Sequence, residues 1–194
     1  MPECIITAYD PGKVSNSTQL YINEDKQICL LKTYEFSHLV QPKFYDLADK
    51  HKQIIIGTVE KAIPQIQIME DINCVGYPSS LKPLLQACGV ITYTISSKKA
   101  DDINKHTANH YLKVNPQIWI PQMKKHLQIK VDKPTKKTYV INLINFIKDY
   151  EYSTSKSFHS HVHEWNIDSV MLALWTHLNY NGSNVLFTRD ILAE

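Results

Sequence analysis

Several things that mark whole classes of protein are scarce or missing in this chain of 194 residues. No uncharged apolar run approaches the ~18 residues that suggest a membrane-spanning helix, so no membrane association is expected. The opening Met1-Pro2-Glu3-Cys4 leads straight into an apolar stretch, with neither a basic n-region nor a cleavage site, and the expectation is an intracellular protein. Cys4, Cys29, Cys74 and Cys88 form no CxxC pair, which argues against zinc-knuckle and dithiol-redox chemistry and for reduced thiols. Five glycines and nine prolines, beside 43% hydrophobic and 21% charged residues, are ordinary values that exclude collagen-like and disordered chains. Arginine is almost absent, Arg189 being the only one, while Lys, Ile and Asn abound as an A/T-rich genome would encode.

The length suits one well-buried domain spanning 1–194, with one insertion. A net charge of +2 says little about partners, but its distribution says more. From Lys98 to Lys137 there are ten lysines against three acidic residues, so positive charge is concentrated in the middle of the chain.

Residues Cys4 to Tyr9 form an apolar strand that closes at the turn signal Asp10-Pro11-Gly12. Thr18 to Asn23 and Gln27 to Phe36 read as two more strands around the hairpin turn Asn23-Glu24-Asp25-Lys26. Helical spacing of Leu47, Ala48, Ile54, Ile55, Val59, Ala62 and Ile63 predicts a helix from about Phe44 to Ile63, stopped by Pro64. Ile66 to Glu70 reads as a strand that again finishes on an acid. A short helix follows from Ser79-Ser80 to Cys88 with Gly89 as its C-cap, and then a strand over Val90 to Ile95. Lys98 to Val114 looks helical, Pro116 and Pro121 interrupt, and about 97–134 reads as an insertion or a DNA-facing excursion. Lys136 to Tyr150 is an amphipathic helix with Val140, Leu143, Ile144 and Ile147 on one stripe, and a last helix runs from about Glu164 to Tyr180. A β-meander followed by alternating helices and strands predicts an α/β fold: a mixed five-stranded sheet flanked by helices, with the insertion before the penultimate helix.

Four acids are candidates for chemistry. Asp10 and Glu70 each end a strand, and Glu164 and Asp168, four apart in the last helix, share one of its faces. Several carboxylates gathered at one edge suit Mg²⁺ or Mn²⁺, which prefer hard oxygen ligands. Two ions roughly 4 Å apart can activate a water and stabilise the leaving oxygen of an in-line displacement. In this arrangement Asp10 bridges the ions and Glu70, Glu164 and Asp168 complete the shells. Each acid also has a local explanation: Asp10 as a turn former, Glu70 as a strand end, Glu164 as a first-turn acid favoured by the helix dipole.

The residues resemble the RuvC family of Holliday junction resolvases, within the RNase H-like superfamily. IITAYDPGK is similar to that family's first-strand motif. IQIMEDINCVGYPSSLKPLLQACGVIT resembles its fourth strand, catalytic Glu and dimer-forming helix, with an ARGV-like helix end appearing as Ala87-Cys88-Gly89-Val90. WNIDSVMLALW resembles its closing helix, and KKTYVINLINFI resembles the basic-led helix of poxvirus-type viral resolvases. The resemblance implies a homodimeric endonuclease that makes paired nicks in four-way DNA junctions, leaving 5′-phosphate and 3′-hydroxyl ends, with two Mg²⁺ ions per active site. Two departures stand out. Trp165 occupies the place, three before the last Asp, where many bacterial members carry an Asp or His, leaving the fourth ligand open between Glu164 and His163. Asn73 replaces the aromatic that bacterial members place after the catalytic Glu, and Tyr77 is a candidate substitute.

Lys136 and Lys137 begin a helix, whose N-terminal amides favour phosphate, and the resemblance implies that a lysine there faces DNA. Lys98 and Lys99 are expected to add nonspecific backbone attraction. His159, His161 and His163 alternate in a Ser-rich setting without cysteine, a weak basis for a zinc site. The alternatives are an RNase H-like nuclease acting on RNA/DNA hybrids or flaps, and a non-catalytic junction-binding module.

Overall fold

A computed structural model describes residues 2–11, 16–25, 27–35, 53, 63, 65–71, 78–101, 109–148 and 158–179. The element order is β1 (Pro2–Asp10), β2 (Asn16–Asn23), β3 (Ile28–Glu35), β4 (Gln65–Glu70), α1 (Pro78–Asp101), β5 (Asn109–Val114), α2 (Pro116–His126), α3 (Lys136–Lys148), a 3₁₀ turn (Phe158–His161) and α4 (Ile167–Asn179). The five strands form one sheet in the order β3-β2-β1-β4-β5. The β1–β2 and β2–β3 pairs are antiparallel, whereas β1–β4 and β4–β5 are parallel. The expected mixed sheet is therefore observed.

Strand periodicity divides the core between the two faces of this sheet. On one face Ile6, Ala8, Leu20, Ile66, Ile68, Leu112 and Val114 pack with α2, α3 and α4 through Trp119, Met123, Leu143, Ile147, Val170 and Leu174. Full burial of an aliphatic side chain contributes about 1.5–3 kcal/mol, which makes this face the main source of stability. The opposite face is smaller and more polar: Tyr9, Met69 and Tyr111 meet Cys88, Ile91 and Ile95 of α1. Beside them the buried Tyr9 hydroxyl donates to Gln67 Oε1 at 2.7 Å, and Gln67 Nε2 donates to Gln65 Oε1 at 3.1 Å.

Two elements differ from the sequence expectation. First, Gly89 does not end a helix, and Val90 to Ile95 is not a strand: α1 runs through both. Cys88, Ile91 and Ile95 then fall on one helical stripe against the sheet, while Gly89 is exposed, where an added Cβ would meet nothing within 4 Å. Burial along that stripe outweighs the weak strand preference of β-branched residues. Second, the end of the segment read as helical, Lys98 to Val114, supplies the fifth strand, β5, in parallel register with β4 from Gln65↔Asn109 to Glu70↔Val114.

The segment about 97–134 is consequently no excursion, since it contributes β5 to the sheet and α2 to the core. Nor do its prolines interrupt structure. Pro116 occupies the start of α2, where its missing N–H costs nothing, and Asn115 caps that helix by accepting from the Gln117 N–H at 2.8 Å. Pro121 lies exposed within the same helix. The helix expected from about Phe44 to Ile63 lies outside the described residues apart from 53 and 63. Among the described residues no helix is long and apolar enough to cross a membrane.

Candidate active site

Parallel pairing places the first two acids. The β1–β4 register runs from Ile5↔Gln65 to Tyr9↔Met69, so Asp10 and Glu70 follow on neighbouring strand ends. Both share the parity of Ile6, Ala8, Ile66 and Ile68 and hence the face that carries α4. Asp168 lies in the first turn of that helix. Three acids are thus brought to the C-terminal edge of the parallel strands, where open α/β sheets place their sites.

Their proximity appears in the electrostatics of Glu70. Burial first, then repulsion from Asp10 and Asp168, pushes its carboxyl up from 4.5 to about 7. Asp71, the next residue, is exposed, as expected for the opposite parity.

A cation answers the acids. Thr135 caps α3, its hydroxyl accepting from the Thr138 N–H at 3.2 Å, and the first residue of that helix is Lys136. Its Nζ donates to Asp168 Oδ2 at 2.8 Å. Partial burial works against the ammonium, yet its pKa is raised by that hydrogen bond and by attraction to Asp168, Asp10 and Glu164. Tyr139, one turn along α3, also senses Asp168: burial and then that carboxylate raise its phenol.

Asn16 ties Asp10 to the turn before the last helix, although the sequence pattern places the start of β2 two residues later. It pairs with Asp10 across β1 and β2. From full burial, its Nδ2 donates to Asp10 Oδ2 at 3.1 Å and to the Trp165 carbonyl at 3.1 Å. The signal available in the sequence was the length of the hairpin: extending β2 back to Asn16 sets that residue opposite Asp10.

Glu164 requires a correction. The last helix begins at Ile167, so Glu164 stands in the preceding turn and shares no helical face with Asp168. The break has a cause, because the buried Asn166 side chain is committed to that turn. Its Oδ1 accepts from the His163 N–H at 2.8 Å and its Nδ2 donates to the His161 carbonyl at 2.7 Å. Glu164 is exposed and reaches the cluster electrostatically through Lys136. His163 is exposed and stacks on Trp165. Lys137 is exposed beside Lys136, whereas Lys98 and Lys99 belong to α1, on the opposite face of the sheet.

Among the described residues no group of three or more His, Cys, Asp and Glu side chains stands ready to enclose a metal ion. The donor chemistry at the sheet edge nevertheless fits a hard divalent cation: Asp10, Glu70 and Asp168 offer only oxygen, and their mutual repulsion is what such an ion relieves.

A mixed sheet of this order, with helices on both faces and acids on its two central parallel strands and closing helix, defines the RNase H-like α/β fold. Solved structures agree. The chain is similar to the Thermus thermophilus RuvC structure at a TM-score of 0.53 and 10% identity, covering 88% of this chain and 92% of that one. It is likewise similar to T. thermophilus RuvC in complex with Holliday junction substrate, at a TM-score of 0.53 and 11% identity, covering 89% of this chain and 91% of the other. At such identity the likeness establishes a RuvC-like fold. No family model and no curated protein matches the sequence.

Proposed function

We propose that this chain is a metal-dependent, structure-selective endonuclease that resolves four-way DNA junctions by paired nicks, leaving 5′-phosphate and 3′-hydroxyl ends. The observation that carries this reading is the meeting of Asp10, Glu70 and Asp168 at one sheet edge, with Glu70 raised to about 7 by burial and by the other two acids. The RuvC-like fold supports it, since one matching structure holds a Holliday junction substrate. Within that class the KKTYVINLINFI helix favours the viral, poxvirus-type members.

Asp10, Glu70 and Asp168 would hold two Mg²⁺ ions, or Mn²⁺ in their place, with Glu164 as the fourth ligand. The metal supplies the positive charge that stabilises an in-line displacement at phosphorus. The carboxyl of Glu70 holds or releases a proton near neutral pH. Lys136 and Lys137 attract the DNA backbone beside the acids, and the Nζ of Lys136 orients a phosphate oxygen. Lys98 and Lys99 add backbone attraction away from the site.

Two coordinated nicks need two sites related by a two-fold axis. The exposed stripe of Leu85, Gly89 and Tyr93 on α1, with Leu85 at 48% and Tyr93 at 75% exposure, favours that helix as the homodimer contact.

The test is a cleavage panel of four-way junction, RNA/DNA hybrid and flap in Mg²⁺, run with wild type, Asp10→Asn and Glu70→Gln. Junction-selective cutting that both variants lose while still binding DNA is the expected result. Preference for the hybrid or flap would replace junction resolution with RNase H-like activity, and no cutting in Mg²⁺ or Mn²⁺ would leave only a binding module.

A further inference from the structure

Trp165 is partly exposed, and its carbonyl accepts from the Asn16 amide that also holds Asp10. Its ring stacks on the imidazole of His163, with centroids 5.9 Å apart and planes within 16°. We infer that this stacked His163–Trp165 pair is a platform for an unpaired nucleobase at the rim of the acid cluster. The inference rests on the proposed action on DNA and adds to it a base-binding subsite.

Three observations support it. First, the pair is displayed. His163 is exposed and Trp165 partly so, whereas the other two tryptophans, Trp119 and Trp175, are 1% and 2% exposed. Second, the backbone that carries the pair is pinned. The two Asn166 side-chain hydrogen bonds fix the turn on either side of His163, and the Asn166 N–H donates to the His163 carbonyl at 3.2 Å. A preordered aromatic face loses little conformational entropy on binding.

Third, the pair is coupled to the chemistry. The Trp165 carbonyl and the Asp10 carboxylate accept from the same Asn16 amide, which ties the platform to the first acid. Glu164, between the two rings in the chain, lies within electrostatic range of Lys136. A nucleotide whose phosphate is drawn to Lys136 and Lys137 therefore has an aromatic surface close by for its base. Base stacking on such side chains is sequence-tolerant and needs a base freed from its pair, the condition offered by a junction centre and not by an intact duplex.

Tryptophan emission tests this directly, because Trp165 is the tryptophan exposed to ligand. Asp10→Asn protein, which is expected to bind without cutting, is titrated with a four-way junction and with a fully paired duplex, while the anisotropy of a labelled DNA arm reports binding independently. The junction should quench the emission and the duplex should not, and Trp165→Phe should remove most of the quench. His163→Ala should weaken junction binding by about 5- to 100-fold with an unchanged melting midpoint and unchanged Mg²⁺ affinity. Junction binding without quenching, or His163→Ala binding as tightly as its parent, would overturn the platform and leave the nuclease reading standing. Loss of Mg²⁺ affinity in His163→Ala would assign the imidazole to the metal instead. Failure of the protein to bind any junction would remove the proposed function itself.

Discussion

Lys136 Nζ lies 2.8 Å from Asp168 Oδ2, so a cation of the chain already sits among the acids proposed to hold metal. Its attraction extends to Asp10 and Glu164. An arriving Mg²⁺ competes with that ammonium for the same negative charge. Lys136→Gln should therefore bind Mg²⁺ several-fold more tightly in calorimetric titration. The same variant should bind junction DNA more weakly, with the slope of log affinity against log salt reduced by about one. Loss of the half-exposed ion pair should cost the fold less than about 1 kcal/mol.

Glu70 predicts the pH dependence of stability. Its carboxyl titrates at about 7 when folded, against 4.5 for the ordinary group, so between those values the folded state binds more protons than the unfolded chain. Stability contributed by this group therefore falls as pH rises from about 4.5 to about 7, and changes no further above that. Glu70→Gln should flatten the slope and, in urea denaturation at pH 8, exceed wild type by roughly 1–2 kcal/mol once partial solvent exposure is allowed for. Mg²⁺ should raise the wild-type midpoint more at pH 8 than at pH 5, because it favours the ionised carboxylate.

Asn16 should behave as a positioning residue. Asn16→Ala removes the hydrogen bonds to Asp10 and to Trp165. The cleavage rate constant should drop about 10- to 100-fold, as when groups that orient metal ligands are lost. Junction affinity measured without cleavage should change much less. An equal loss in both measurements would assign Asn16 to DNA binding.

Trp175 predicts stability alone. Buried to 2% exposure, it packs in the larger core, and its Nε1 donates to Gln122 Oε1 at 2.8 Å. Trp175→Ala should cost about 3–5 kcal/mol. Gln122→Ala, which leaves the indole in place but takes away its acceptor, should cost about 1–3 kcal/mol. Both are read from denaturant midpoints.

The sequence reveals the first three strands, β4 and α3 because their hydrophobic periods are clean and their boundaries carry turn or cap residues. It misleads at Val90 to Ile95, where β-branched residues follow a glycine and both local signals point away from a helix. That segment becomes helical because Ile91 and Ile95 meet Tyr9, Met69 and Tyr111 across a long sequence separation. β5 is hidden for a related reason: Tyr111 faces α1 while Leu112 and Val114 face the larger core, so a strand buried on both sides shows no alternation of polar and apolar residues.

At the site, Asp10 and Glu70 are legible as strand ends, and Asp168 as an acid in an otherwise apolar helix. Glu164 misleads because a spacing of four implies a shared helical face only if the helix has already begun. The Asn166 side chain, occupied with His161 and His163, delays that start. Asn16 escapes notice because its importance is a matter of register opposite Asp10, which local composition does not encode.

The bridge made by Asn16 also bears on when activity can arise. Asn16 and Trp165 are 149 positions apart, and the acids on either side of this bridge come from the first strand and the last described helix. As the polypeptide leaves the ribosome, Asp10 and Glu70 emerge long before the helix that brings Asp168. A nascent chain therefore lacks the assembled carboxylate cluster until α4 docks on the sheet, and the nuclease activity proposed above would await completion of one late, long-range packing event.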